Sequence, residues 1–275
     1  MTTRKLDTGT DHLSCEVSEH VALITLANPA KRNALSEPMT QALRRILDAT
    51  EQDTDVRVLV LTGAGGALCA GGDVGGMGAT LSGGTARPDS EAMIQRLQEA
   101  QEAIALRLYE FPKPTIACLP GPAAGAGLSL ALACDLRVAC DSAMLVPAFA
   151  AIGLSGDFGG SWLLSQLIGP ARAKEIYFTG RRVPASEALE LGLVNRVTPD
   201  GSERDDALAL AAELAAGAPI ALRYMKDNIN RAGSMDFRSA LRNEADRMIR
   251  SMLTEDHRNA AEAFLEKRKP VFRGR

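Results

Sequence analysis

The segment PTIACLPGPAAGAGLSLALACDLRVAC (114–140) decides the fold, because a strand, a turn, a helix and a second strand follow one another in it. PTIACLP predicts the first strand and DLRVAC the second. The turn AAGAG (123–127) consists of small residues, so a ligand can approach its backbone closely. The apolar helix behind the turn begins without an acid, a base or a metal ligand.

The surrounding sequence favours an α/β fold with a largely parallel sheet. LSCEVS (13–18) and HVALITLAN (20–28) alternate apolar with polar or small residues and predict a hairpin. VRVLVLTG (56–63) is a continuous apolar run, which is typical of a strand buried on both faces. Ser36 is expected to cap a helix, and a long helix is expected from about Ser90 to Glu110.

A change of pattern near Asp205 predicts two regions. Residues 1–204 alternate strands and helices, whereas residues 205–275 contain helix after helix. The apolar stripes of these later helices cannot all pack on one core, so subunit contacts are expected.

Composition excludes several classes of protein. The 275 residues are 46% hydrophobic and 24% charged, with a formal net charge of -3 and no basic run that would predict a nucleic-acid partner. No apolar segment approaches the roughly 20 residues that span a bilayer, and the N-terminus lacks a signal-peptide core. The five cysteines form no CxxC pair, and the three histidines lie far apart, so no disulfide framework or metal site is expected. These observations predict a cytoplasmic protein without a membrane partner.

Two common glycine motifs are absent from the glycine-rich stretches. GAGLSL has Leu130 where a dinucleotide-binding fingerprint has its last glycine. GLSGD has Asp157 where a nucleophile elbow has glycine. A serine nucleophile at Ser129 or Ser155 is not expected, because no histidine is well placed as its base.

The order of six motifs resembles the crotonase superfamily, also called the enoyl-CoA hydratase/isomerase family. In chain order the motifs are NPAKRNAL, CAGGD, PAAGAGLSLALACD, IGLSGDFGGSW, ASEALELGLVNRV and AFLEKRKPVF. The resemblance runs from about His20 onward. It implies a crotonase (ClpP/crotonase-like) fold of repeated ββα units with a C-terminal helical trimerisation region, assembled as a homotrimer or hexamer.

The resemblance implies an acyl-CoA substrate and an enolate-like anion held by two backbone N–H groups. The matching positions are Gly72 and Ala126, the second at a helix start, where free N–H groups favour an anion. Coenzyme A enters as part of the substrate, and no other cofactor is expected.

Further family positions match the CoA-binding track. They are Lys31, Arg32, Ala34, Leu35, Ala70, Asp73, Val74 and, near the C-terminus, Phe264 and Lys267. In some members the last two reach CoA from a neighbouring subunit. Without the resemblance, Lys31 and Arg32 are two solvated loop cations, and Asp73 is a local backbone acceptor.

The sequence departs from the family hydratases at both proton-transfer positions. These enzymes use two glutamates, and the matching residues are Ser129 and Phe149. Neither side chain can act as a carboxylate near neutral pH. Hydration of an enoyl thioester is therefore expected to be weak or absent.

One carboxylate remains near the expected site. Asp157 matches the aspartate of some family isomerases, notably dienoyl-CoA isomerases, where it takes part in proton shuttling. Burial beside Ile152, Leu154 and Phe158 is expected to raise its pKa. The alternative is that Asp157 only caps the helix that begins FGGSWLL.

Double-bond isomerisation with Asp157 as acid and base is the favoured reaction. The alternatives are an enoyl-CoA hydratase of low activity, a non-catalytic acyl-CoA-binding homologue, and another reaction in the same site, such as thioester hydrolysis, decarboxylation or ring formation. The acyl pocket is expected near Met77, Leu81, Met93 and Leu97, where few bulky aromatic residues occur.

Overall fold

The computed structural model describes residues 3–72 and 89–275. The strands of this part of the chain are β1 (Arg4–Leu6), β2 (Leu13–Ser18), β3 (Val21–Leu26), β4 (Val58–Gly63), β5 (Thr115–Leu119), β6 (Ala123–Ala124), β7 (Leu136–Cys140), β8 (Met144–Val146), β9 (Val183–Pro184) and β10 (Arg196–Thr198). The α-helices are α1 (Glu37–Gln52), α2 (Ser90–Gln101), α3 (Arg107–Tyr109), α4 (Ala126–Ala133), α5 (Gly160–Thr179), α6 (Ala185–Glu190), α7 (Glu203–Ala215), α8 (Pro219–Ala232), α9 (Phe237–Met252) and α10 (Glu255–Leu265).

The main sheet confirms the predicted parallel core. Its strand order is β1-β2-β3-β4-β5-β7-β10. β2 and β3 form the expected antiparallel hairpin, with Leu13 opposite Leu26. β3, β4, β5, β7 and β10 pair in parallel. A smaller sheet contains β6, β8 and β9.

The apolar run of β4 is buried on both faces, as its sequence indicates. Leu59 and Leu61 belong to the larger core, which also includes apolar residues of α1 and α4. Val58 and Val60 point to the opposite face and belong to a second core with α7. Helices therefore cover both faces of the sheet, which is why its central strands contain almost no polar side chain.

Two predicted helices form with local differences. Ser36 occupies the N-cap position of α1, but its Oγ lies 2.8 Å from His12 Nδ1 and makes no side-chain cap. The helix expected at about 90–110 contains a π-helical segment, Glu102–Leu106, between α2 and α3. π-Helical turns are rare and frequently mark functional sites.

Helix α7 packs on the sheet and spans the predicted boundary between the two regions. That boundary, between residues 204 and 205, falls inside α7, whose Ala207, Leu210 and Ala211 pack in the second core under the sheet. α8 and α9 instead expose large apolar side chains, such as Ile229 and Phe237. The homotrimer or hexamer stays a prediction.

Among the described residues, no single helix has the length and hydropathy needed to cross a membrane. α7 and α8 together reach that length and composition, but the chain bends by 108° between them.

Candidate active site

The site lies where two parallel strands end. β4 ends at Gly63 and β5 at Leu119, and the loops that follow them lead to residues 69–72 and 123–126. The carboxyl ends of parallel strands meet at one edge of a sheet, which is the usual place for ligands in α/β folds.

Backbone pairing holds the two loops together. The Ala124 N–H donates to the Cys69 carbonyl at 2.9 Å, and Cys69 forms an isolated bridge with Ala123. A Cβ on Gly127 would come within 2.5 Å of Cys69 Cβ, so only glycine permits this approach. Burial raises the pKa of the Cys69 thiol to about 11, which keeps it protonated and a poor nucleophile.

The segments that carry Gly72 and Ala126 lie side by side. Gly71 and Gly125 both have positive φ, 99° and 51°. A Cβ on Gly71 would meet only backbone atoms of the turn, with Ala126 N at 3.4 Å. Neither the Gly72 N–H nor the Ala126 N–H donates to another described residue. Ala126 is the first residue of α4, where helical N–H groups lack internal partners.

The predicted CoA loop is paired with the same segment. The Ala70 N–H donates to the Arg32 carbonyl at 2.9 Å, and the Leu35 N–H donates to the Gly71 carbonyl at 2.7 Å. This pairing brings together five predicted positions, namely Lys31, Arg32, Ala34, Leu35 and Ala70. Lys31 and Arg32 are exposed, whereas Ala34 and Leu35 are buried.

Asn33 shapes this loop, a role that sequence analysis missed. Its φ is 57°, and its fully buried side chain donates to the carbonyls of Ala64 and Ala67 at 2.8 and 2.9 Å. Its Oδ1 accepts from the Asn28 N–H. Asparagine tolerates the left-handed region better than most residues, and its amide supplies the local hydrogen bonds.

The remaining predicted CoA positions are not brought to this loop. Asp73 and Val74 lie outside the described residues. Phe264 is 82% exposed near the end of α10, and Lys267 follows that helix. Among the described residues, no hydrogen bond or ion pair connects either one to the CoA loop.

The side chain of Asp157 has a buried oxygen, Oδ1, without a hydrogen-bond partner among the described residues. Burial raises the pKa of this carboxyl from the ordinary 3.8 to about 6. Its backbone carbonyl is held instead, accepting from the Gly160 N–H at 3.1 Å and from Ser129 Oγ at 3.0 Å.

The alternative that Asp157 caps the following helix is wrong. The N-cap of α5 is Gly159, and no side chain caps that helix. Phe158 and Gly159 both have positive φ, 49° and 73°, so the chain turns between Asp157 and the first helical residue. The carboxylate is thereby left free for another role.

The apolar residues expected around Asp157 are buried only in part. Ile152 and Leu154 are 51% and 49% exposed, and only Phe158 of the predicted neighbours is buried. The stacked rings of Phe149 and Tyr177, whose centroids lie 5.9 Å apart, are further apolar groups near this loop. Both lie beside Gly156, the residue before Asp157, because a Cβ on Gly156 would be 3.2 Å from Tyr177 and 3.9 Å from Phe149.

The two positions that match the hydratase glutamates lie beside the Asp157 loop and the turn at Gly125. Ser129 is buried, and its hydroxyl donates to the Asp157 carbonyl. The Phe149 ring lies 3.7 Å from the point that a Cβ on Gly125 would occupy. The structure therefore brings Ser129, Phe149 and Asp157 to the turn that carries Ala126.

Tyr177 is a further member of the site that sequence analysis missed. Burial raises the pKa of its phenol to about 12; the nearby Asp157 adds to the increase, and a hydrogen bond with Ser129 opposes it. A Cβ on Gly160 would clash with both the Ser129 and Tyr177 hydroxyls. The glycine pair at 159–160 was the available signal that side chains crowd this helix start.

A cavity of about 340 Å³ opens on the other side of Phe158. It is lined by the π-helical segment, α3 and the start of α5, and Met93 and Leu97 do not line it. This cavity is therefore not the acyl pocket that was expected around Met93 and Leu97. Met77 and Leu81 lie outside the described residues. Among the residues described, no group of three or more His, Cys, Asp or Glu side chains could hold a metal ion.

Comparison with known proteins identifies the family. A sequence model of the enoyl-CoA hydratase/isomerase family matches residues 16–275. The chain is 38% identical over 259 residues to human enoyl-CoA hydratase domain-containing protein 2, mitochondrial, covering 92% of this chain and 85% of the relative. It is 35% identical over 259 residues to the 1,2-epoxyphenylacetyl-CoA isomerase of Escherichia coli, covering 94% and 97% of the two chains.

A solved structure agrees with these relatives. The crystal structure of an enoyl-CoA hydratase from Polaromonas sp. JS666 superposes with a TM-score of 0.89 at 36% identity, covering 94% of this chain and 99% of that one. The chain therefore belongs to the enoyl-CoA hydratase/isomerase family, has the crotonase fold, and is an acyl-CoA enzyme.

Proposed function

We propose that this enzyme moves a carbon–carbon double bond in an enoyl-CoA thioester, with Asp157 as the single acid and base. The observation that carries the proposal is the buried Asp157 Oδ1, which lacks a hydrogen-bond partner among the described residues while its pKa is raised to about 6. A carboxyl with that pKa can both accept and return a proton near neutral pH.

The thioester oxygen is stabilised by the N–H groups of Gly72 and Ala126. The close packing of Gly71 against the Ala126 nitrogen supports this assignment, since no side chain lies between them. Fixed donors gain strength as negative charge develops on the oxygen, and removal of one such donor typically costs about 10²–10³-fold in kcat.

The reaction needs only one carboxylate. Asp157 removes a proton from C2 of a 3-enoyl thioester, and the electron pair moves into the thioester carbonyl to give a dienolate. The same carboxyl then returns the proton to C4, the double bond comes to lie between C2 and C3, and the carboxylate is restored. Ser129 and Tyr177 keep the Asp157 loop against α4 during both steps.

Coenzyme A is bound along the loop at residues 31–35. Lys31 and Arg32 supply positive charge for the phosphate groups, and Leu35 and Ala70 lie beside the oxyanion turn. We assign Asp73 and Val74 to the same track. Phe264 and Lys267 would complete the CoA site of a neighbouring subunit in the trimer, which is why they are exposed in one chain.

Incubation of a 3-enoyl-CoA in deuterated water tests the proposal. We expect conversion to the 2-enoyl isomer with deuterium at C2 or C4, and no such conversion by Asp157→Asn. Rapid hydration of crotonyl-CoA by the pure protein would contradict it and favour a hydratase. Binding of the thioester without exchange would contradict the assignment of Asp157 as base.

A further inference from the structure

We propose that the cavity beside Phe158 holds an aromatic ring at the far end of the acyl group. The proposal rests on the proposed function, because it assigns the acyl class of that same site. The cavity lies next to the proposed catalytic centre: two lining residues, Phe158 and Gly159, directly follow Asp157 in the chain. The far end of an acyl group bound at Asp157 would pass Phe158 to enter this adjacent cavity.

Aromatic side chains are concentrated at this cavity. Aromatic residues make up only 4% of the chain, yet Tyr109, Phe158 and Trp162 all line this one space. Tyr109 and Trp162 already form an edge-to-face pair, with centroids 5.5 Å apart and planes at 89°. A third ring packed against this pair finds both ring edges and ring faces to contact.

The size of the cavity fits a ring with its linker. Its volume of about 340 Å³ exceeds twice the volume of about 150 Å³ that holds benzene in an apolar protein cavity. Ala105 provides room at the wall, where a larger residue would fill the space. The wall that contains Ala105 is the π-helical segment, and such segments frequently mark functional sites.

Charge at the cavity excludes an acidic acyl group. Glu102 lines the cavity, and the other lining residues in the described part of the chain include no cation. A carboxylated acyl chain would meet a like charge without a partner, whereas an uncharged ring would contact Leu106 and Leu163 as well as the aromatic walls.

Trp162 is the only tryptophan of the chain, and it lines this cavity and a neighbouring one, so its fluorescence reports on a ligand in either. The test titrates the wild-type protein with phenylacetyl-CoA, with octanoyl-CoA, which has the same number of acyl carbons, and with CoA. Each favourable aromatic pair is worth about two- to twelvefold in affinity. We expect phenylacetyl-CoA to bind about tenfold more tightly than octanoyl-CoA and to change Trp162 emission more than CoA does.

A matched pair of variants locates the effect. Trp162→Leu is expected to reduce the aryl preference, measured by calorimetry, to below threefold. Phe178→Leu changes an exposed aromatic residue of the same helix outside the cavity and is expected to keep the preference.

The proposal would be overturned if the wild-type protein bound phenylacetyl-CoA less than threefold more tightly than octanoyl-CoA. It would also be overturned if CoA alone changed the Trp162 emission as much as phenylacetyl-CoA does. Thioester binding without aryl preference would refute only this inference. Aryl preference without isomerisation would refute only the proposed reaction.

Discussion

Replacing Asp157 by asparagine is expected to abolish isomerisation and to stabilise the fold at the same time. Asparagine has nearly the shape of aspartate but cannot accept a proton from carbon. Since positioned general acid–base groups contribute about 10²–10⁴-fold, kcat should fall by at least about 10²-fold, with the thioester dissociation constant nearly unchanged. Asp141→Asn, a change at an exposed carboxylate between β7 and β8, is the matched control.

The pH dependence of the wild-type enzyme should report the same carboxyl. Its pKa of about 6 means that the base form is lost as the pH falls through 6. The ionised fraction is about 0.9 at pH 7 and about 0.1 at pH 5, so kcat/KM should fall about tenfold between them. Initial rates measured between pH 5 and pH 7 in buffers of constant ionic strength test this decrease in kcat/KM.

The stability change follows from the same shift. The folded-state pKa is raised above the ordinary 3.8, so the folded protein holds the proton more tightly than the unfolded chain does. The associated stability is present at low pH and is lost as the pH rises through about 6. Because Asp157 is only half-buried, solvent screening reduces the energy that corresponds to this shift, and Asp157→Asn should raise the free energy of unfolding by about 1–2 kcal/mol at pH 8.

Urea unfolding at pH 4 and pH 8 measures this difference, which should be small at pH 4. An Asp157→Asn variant that is less stable than wild type at pH 8 would show that the carboxylate is structurally required. Full isomerase activity in that variant would refute the catalytic assignment. A wild-type rate that does not change between pH 5 and 7 would refute the proposed role of the shifted pKa.

Three further changes test other parts of the site. Ala126→Pro removes one N–H at the first position of a helix, where proline is tolerated. We expect kcat to fall by about 10²–10³-fold while the circular dichroism spectrum stays native. An unchanged kcat would exclude the Ala126 N–H from the oxyanion hole. Tyr177→Phe keeps the ring stacked on Phe149 but deletes the hydroxyl that bonds with Ser129. Urea unfolding should show that the free energy of unfolding falls by about 1 kcal/mol. An unchanged free energy of unfolding would mean that this hydrogen bond contributes nothing to stability. Arg32→Glu should raise the KM for the thioester, most strongly at low salt, and should leave kcat unchanged. If neither this substitution nor the salt concentration changes KM, the loop does not bind CoA.

The sequence predicted well those elements whose pattern of apolar and small residues is contained in a short stretch of the chain. The apolar run of β4 indicated a strand covered on both faces, and the glycines of AAGAG indicated a turn approached by backbone. Tyr177 was not predictable, because it lies 20 residues from Asp157 and reaches it only when α5 packs beside the turn. The N-cap expectation failed because dihedral angles at Phe158, rather than residue type at Asp157, decide where α5 begins.

The chemical surroundings of Asp157 explain why one carboxylate suits isomerisation better than hydration. Burial raises its pKa, and no other carboxylate among residues 3–72 and 89–275 contributes to the increase. Hydration needs one group that removes a proton from water and another that donates a proton to carbon during the same reaction. A single carboxyl cannot be ionised and protonated at the same time. Isomerisation uses the two states in sequence: the carboxylate removes a proton, and the resulting acid returns it. Serine at 129 and phenylalanine at 149 keep like charges away from Asp157, so its pKa stays close to neutral and both states remain accessible at physiological pH.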